Sequence, residues 1–406
     1  MAINRRPKKK RNTRAARREP LDWLDLPSEL LELIAQRSRD PIRGLTAFRS
    51  VCRTWRAAAG QAPRLLLPAP RNRSAPRAGS EHALVFPLPG GWSVVVDARD
   101  VSCRLSHLTT GATAALPKIS AVHDGKTMSD ITYVHHTDAE SARQIQIRTP
   151  FYDVSFRTYL EFSDHFRFAI HAPTGTLAAG TDKMMIIMCH CYLLRESIVV
   201  CRPGDAAWTR LPKGPSSRHD YFIDVTSFQG KIYGLESNGA TLVFDATTLE
   251  FLCSIHVPQS TSKLYSVIYW ASTSRDDDPV DFDYFHLVAL PSKLLLVVVS
   301  VKSLEPTGFA FFELTSGSRD GRLSWRKVTG DGIGGNYDVF MDCHHATFSD
   351  NNGVGTGARV YYVLQRTWHP KASTYYYEIH DGKMECLYRS PDDHCEYSTK
   401  PSWFVP

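Results

Sequence analysis

Gly330-Asp331-Gly332-Ile333-Gly334-Gly335 fits the G-x-G-x-x-G spacing with which a glycine loop lets backbone amides approach a pyrophosphate. That chemistry needs a strand before the glycines and a helix opening from them. The residues that follow, NYDVFMD, read as another strand, so a loop between repeats is expected. Cys189-His190-Cys191 offers soft metal ligands, yet successive side chains of one strand point to opposite faces. No CxxC or HxxxH elsewhere completes a zinc tetrahedron. His135-His136 and His344-His345 read as polar loop or strand positions, and residues 275–283, RDDDPVDFD, lack the glycine and closing glutamate of a calcium loop. No G-x-S-x-G nucleophile elbow is present. The expectation is a chain with no catalytic constellation, no cofactor and no metal.

The elements that would position any such site are strands. Residues 221–257 read YFIDVTSFQG, KIYGLESNG, TLVFDATTL and EFLCSIHV, four strand-length runs punctuated by turn residues. The same order returns over residues 284–328 and 339–389, and more faintly near residue 82 and over residues 165–211. Thr109-Thr110-Gly111, Pro203-Gly204-Asp205, Asp245-Ala246-Thr247 and His380-Asp381-Gly382 occupy equivalent turns, and Trp208 and Trp325 equivalent fourth strands. Four strands per unit of about 40 to 50 residues is the pattern of propeller blades. Five units are visible and a weaker candidate lies between residues 119 and 160, so about six blades are expected. A β-sandwich is the alternative, although it does not require a repeated strand order.

One short stretch reads differently. Pro27-Ser28-Glu29 is a helix start, followed by Leu30, Leu31, Leu33 and Ile34 at helical spacing. Asp40-Pro41 is a second start, followed by Ile42, Leu45, Phe48, Val51, Cys52 and Trp55, with arginines on the polar positions. Two short amphipathic helices cannot bury a core of their own at this size, so a partner is expected to complete them. Ahead of them, residues 1–18 carry nine Lys/Arg and no Asp/Glu, while the whole chain is only +6, so the remainder nets 6 − 9 = −3. That tail is expected to be disordered. Lys8, Lys9, Lys10, Arg11, Arg17 and Arg18 are candidates for a nuclear-import signal, a solvated tail being the alternative. A slightly acidic body argues against a nucleic-acid-binding domain.

The hydrophobic fraction of 43% and charged fraction of 22% are those of a globular protein. No apolar run is long enough to span a membrane, and a basic N-terminus is not a secretory leader. Nine scattered cysteines fit a reducing compartment better than a disulfide framework. Nucleus or cytoplasm is the expected location.

The residues Leu26-Pro27, Leu30, Ile34, Leu45 and Phe48-Arg49-Ser50-Val51-Cys52-Arg53-Thr54-Trp55-Arg56 resemble a plant F-box. The segments IVVCRPGDAAWTRLP, YFIDVTSFQGKIYGLESNGATLVFD and FHLVALPSKLLLVVVS resemble the KIB-type β-propeller found behind plant F-boxes, from about residue 82 to 388. The resemblance implies that Leu26, Pro27, Leu30, Ile34, Leu45, Val51, Cys52 and Trp55 form a docking surface, or its support, for a Skp-type adaptor. Through that adaptor the chain would reach a cullin–RING ubiquitin ligase, with the propeller recruiting a client. The expected fold is mainly β, a β-propeller of about six blades preceded by a small all-α module. The expected segments are a basic tail (1–19), the F-box (20–59), a linker (60–80) and the propeller (81–406). Two other functions stay open at this level: a propeller enzyme acting on a carbohydrate or ester, and a nuclear scaffold binding nucleic acid through its tail.

Overall fold

Helical spacing and strand spacing separate into two units in the computed structural model, Met1–Gly60 and Gln61–Pro406. The structure describes residues 23, 26–38, 44–59, 63–66, 83–97, 100–108, 110–122, 130–134, 144–148, 153–156, 165–172, 183–190, 197–212, 214, 221–257, 282–303, 305–317, 321–333, 337–342, 345–350, 358–365, 372–389 and 402–405.

Among the described residues the first unit holds three α-helices: α1 Ser28–Arg37, α2 Gly44–Ser50 and α3 Arg53–Ala58. α1 begins where the Pro27 carbonyl accepts the N–H groups of Leu30 and Leu31, both at 3.1 Å. Glu29 in its first turn and Arg37 in its last oppose the helix dipole. The second helix expected from the sequence is two helices, because Cys52 is fully extended (φ −159°, ψ −179°) and forms the N-cap of α3. Arg56 bridges the break. Its N–H bonds the Cys52 carbonyl at 3.0 Å, and its Nε donates to the Arg49 carbonyl at 3.2 Å, an acceptor at the end of α2. The start signal at Asp40-Pro41 and the basic residues Lys8, Lys9, Lys10, Arg11, Arg17 and Arg18 lie outside the described residues.

The second unit opens with β1, Arg64–Leu66, inside the stretch read as a linker. Five sheets follow the repeats. The first blade is β2 Ala83–Pro87, β3 Trp92–Asp97, β4 Cys103–His107 and β5 Thr113–Leu116. After β6 Asp130–Val134, β7 Gln144–Arg148 and β8 Asp153–Phe156 comes the second: β9 Phe166–His171, β10 Met185–His190, β11 Ile198–Cys201 and β12 Thr209–Arg210. The third is β13 Phe222–Phe228, β14 Lys231–Glu236, β15 Ala240–Asp245 and β16 Phe251–His256. The fourth is β17 Phe282–Ala289, β18 Leu294–Lys302, β19 Glu305–Ser316 and β20 Leu323–Val328. A helix of four residues, α4 Gly330–Ile333, leads into the fifth.

The fifth blade has five strands: β21 Tyr337–Met341, β22 Ala346–Asp350, β23 Arg359–Gln365, β24 Ala372–Glu378 and β25 Lys383–Arg389. The run read as one strand, VFMDCHHATFS, folds back on itself. Asp342 N–H bonds the His345 carbonyl at 3.0 Å, which makes β22 the outermost member beside β21, and β21 then pairs parallel with β23. A last strand, β26 Ser402–Phe404, pairs with β1 rather than with a blade.

Among the described residues the blades number five, where about six were expected. The candidate between residues 119 and 160 supplies β6–β8, a separate three-stranded sheet. The first and second blades pack directly on one another instead, sharing one core in which Phe86 lies 5.4 Å from Phe166 and 5.0 Å from Phe168. Three further apolar cores fill the seams between blades two and three, three and four, and four and five. A middle strand is therefore covered on both faces: Leu294 through Val299 are at most 1% exposed. Such strands read as unbroken apolar runs rather than as alternation. The two equivalent tryptophans also tie blades together. Trp208 Nε1 donates back to the Pro117 and Lys118 carbonyls beyond the first blade (3.2 and 3.1 Å), and Trp325 Nε1 to Thr241 Oγ1 of the third (3.3 Å).

Candidate docking site

The core of the helical unit is small. Leu31, Ala35, Phe48 and Trp55 are buried, the Phe48 and Trp55 rings lie 4.7 Å apart, and the Trp55 indole N–H donates to the Trp23 carbonyl at 3.2 Å. Leu31 and Ala35 stand one turn apart on α1, which fixes its inner face. α2 must start close to the end of α1, because a Cβ on Gly44 would lie 2.8 Å from the Ser38 carbonyl oxygen. Only glycine fits there without moving backbone.

What remains outside is apolar. Leu30 is 47% exposed, Leu33 50%, Val51 48% and Trp23 67%. Leu30 and Leu33 are three residues apart and share the outer face of α1. The residues picked out by the sequence thus divide by role. Pro27, Leu30 and Val51 are exposed, Leu26, Ile34 and Cys52 half-buried, and Trp55 sits in the core; the Leu45 side chain lies outside the described residues. Trp55 supports the surface rather than forming it. Trp23 was missed as a surface residue, and Leu33, read as part of the apolar face of the helix, was left out of the docking set. Leu33 carries a readable signal, since it falls beside Leu30 on the helix; Trp23 precedes the periodic run and carries none.

The propeller offers a second polar concentration, contributed by successive blades. In β13 the register shifts between Phe222 and Asp224, and a bulge of this kind re-aims a side chain. The Asp224 carboxylate accepts the N–H of Val225 at 2.8 Å and that of Leu287, on β17 of the next blade, at 2.7 Å. Burial pushes its carboxyl up to about 6, against the Leu287 amide and the positive charge of Arg167, which pull the other way. His286 is buried beside the Tyr362 ring at 5.8 Å, and burial, helped by Arg167, pushes its imidazole down to about 3. Asp342 is fully buried. One oxygen accepts the His345 N–H and Nδ1, each at 3.1 Å, and the other accepts the Trp403 N–H at 2.8 Å. Both carboxylates thus bond backbone amides of a neighbouring element, so their chemistry is to hold strands.

The other motifs are accounted for by packing. Cys189 lies in the core between blades two and three, where burial raises its thiol, while His190 on the opposite face meets the Phe166 ring at 4.3 Å. Gly330–Ile333 forms α4, and the strand β21 follows it, so the glycine run opens no phosphate-binding helix. His135-His136, Cys191, His344 and residues 275–281 lie outside the described residues. Among the described residues no group of three or more His, Cys, Asp or Glu is arranged to hold a metal ion, and no helix is long and apolar enough to cross a membrane.

Against known proteins, the family described as KIB1-4 beta-propeller matches residues 65–389. The F-box protein SKIP23 of Arabidopsis thaliana is 25% identical across 57% of this chain and 57% of its own length, so the chain spans little more than half of that curated relative. Among solved structures, Hsv2 of Kluyvelomyces marxianus is 11% identical over 61% of this chain and 84% of its own, with a TM-score of 0.25. A streptogramin B lyase is 8% identical over 80% and 86%, with a TM-score of 0.29. At those scores neither structure bears on the architecture or activity of this chain.

Proposed function

The chain belongs to the KIB1-4 beta-propeller family, and on that premise we propose that it is the substrate receptor of a Skp–cullin–F-box type ubiquitin ligase. The observation that carries the reading is the exposed apolar set on the helical unit: Leu30, Leu33, Val51 and Trp23. Leu30 and Leu33 share the outer face of α1, and exposed apolar surface concentrated on so small a unit marks an interaction site. The similarity to an F-box protein, SKIP23, supports a Skp-type adaptor as the occupant. Recruitment then works by proximity. The helical unit holds the ligase core while the propeller holds a client, which raises the local concentration of client lysines at the ligase. The reading assigns no bond-making step to this chain, in keeping with buried carboxylates that are spent on backbone amides. The basic residues Lys8, Lys9, Lys10, Arg11, Arg17 and Arg18 are proposed to direct nuclear import.

The test is co-elution. Purified chain mixed with a plant Skp-type adaptor and a cullin amino-terminal domain should run as one complex in size-exclusion chromatography. Separate elution of a folded chain at micromolar concentration would refute the receptor reading.

A further inference from the structure

Four seams of the propeller are filled by apolar cores shared between adjacent blades; the fifth blade is completed differently. Trp403, on β26, is fully buried against the Phe340 and Tyr361 rings of the fifth blade, at 5.0 and 5.8 Å. Those two rings stack on each other at 4.9 Å. The same three-residue strand pairs antiparallel with β1, Leu65 opposite Trp403, and lies against β2 of the first blade. β26 is thus the piece that joins the last blade to the first, and it is short. Three cross-strand pairs are too few to hold a ribbon in water unaided.

The polar contact that holds it is specific. The Trp403 backbone N–H donates to Asp342 Oδ2 at 2.8 Å, and Asp342 is 0% exposed. Its other oxygen is oriented by two donors of His345, the backbone N–H and Nδ1. The Trp403 indole N–H, in contrast, is buried with no hydrogen-bond partner. The backbone amide of Trp403, rather than its side-chain polarity, is therefore what the fifth blade recognises.

We propose that Asp342 is a positioning residue that locks a C-terminal clasp. Its carboxylate, set by His345, holds β26 in the ring, and β26 in turn holds β1, so the two ends of the propeller chain open and close together. β1 is the first described strand after the helical unit in sequence, so an open clasp also releases the strand that follows the docking unit. What that means for client reach rests on the receptor reading; the clasp itself does not.

Hydrogen exchange on the full chain tests it without adaptor or client. In Asp342→Asn the amide nitrogen faces a donor, and an unsatisfied buried donor weakens a contact by about 10- to 100-fold. Exchange should accelerate by that factor in peptides covering residues 63–66 and 402–405, and stay unchanged in β10 and β15. Equal exchange in Asp342→Asn and the parent chain, or equal acceleration in every blade, overturns the proposal. If Asp342→Asn does not fold, His345→Phe decides: it keeps the backbone N–H and removes the ring contact to Asp342 Oδ1, and acceleration confined to those peptides supports the lock while none overturns it.

Discussion

In the helical unit Leu30, Leu33 and Val51 stand about half exposed and Trp23 more so, whereas in β18 of the propeller six successive side chains are at most 1% exposed. Among its described apolar residues the helical unit buries only Leu31, Ala35, Phe48 and Trp55. The propeller covers both faces of middle strands such as β10, β14 and β18 from within. On the receptor reading proposed above, the propeller is finished as a folded object, whereas the exposed apolar side chains of the helical unit await a partner. That difference is why the proposal puts docking on the helices and treats the propeller as a platform.

The largest effect should come from breaking the finished region. Trp208 is fully buried and bonds two carbonyls beyond the first blade, so Trp208→Ala should cost the propeller about 3–5 kcal/mol. Its melting transition should fall sharply, read by calorimetry. At a temperature where the variant is still folded, its affinity for the adaptor should match that of the parent chain. Loss of adaptor binding in step with propeller stability would mean that the two regions are not separable.

A smaller effect concerns the ionisable groups that the propeller buries. His165 and His286 are held near 3 by burial, below the ordinary 6.5, so the folded state binds fewer protons than the unfolded one as pH falls through 6.5. Their contribution is present above 6.5 and is lost on acidification, by about 2 kcal/mol each between pH 7 and 5. Asp224 has the opposite sign. Its folded value of about 6 lies above 3.8, so it adds stability as pH falls through 6, by about 1 kcal/mol at pH 5. The two imidazoles outweigh the one carboxyl, so these three groups together should lower stability between pH 7 and 5, measured by denaturant unfolding. Asp224→Asn removes the opposing contribution and should steepen the loss. A shallower pH dependence in that variant would contradict the assignment of Asp224 as a carboxyl raised by burial.

The five repeats were legible because a blade that is covered on both faces must be apolar without interruption, and its turns need glycine or another residue with positive φ. Gly111, Gly204 and Gly382 occupy such turns, at φ of +71°, +91° and +64°. The blade number was not legible, because β6–β8 have strand propensity of their own and strand propensity does not say whether a sheet joins the ring. The extra strand of the fifth blade was hidden by Asp342, whose side-chain bonds to His345 turn one apparent strand into a hairpin. In the helical unit α1 was readable from Leu30, Leu31 and Ile34. The break at Cys52 was not, since an extended cap residue leaves the helical spacing around it intact. The pairing of Leu65 with Trp403 was the least legible feature, because contacts between chain ends leave no local pattern.

The central claim, that the helical unit is finished by an adaptor, is tested most directly by titrating a purified Skp-type adaptor into the full chain and into a Leu30→Ala, Val51→Ala double variant. Both side chains are about half exposed, so the helical unit should still fold. Truncating two exposed apolar contacts should weaken binding by at least about tenfold, with the propeller melting temperature unchanged. Undiminished affinity in the double variant, or no binding by the parent chain, would contradict the account.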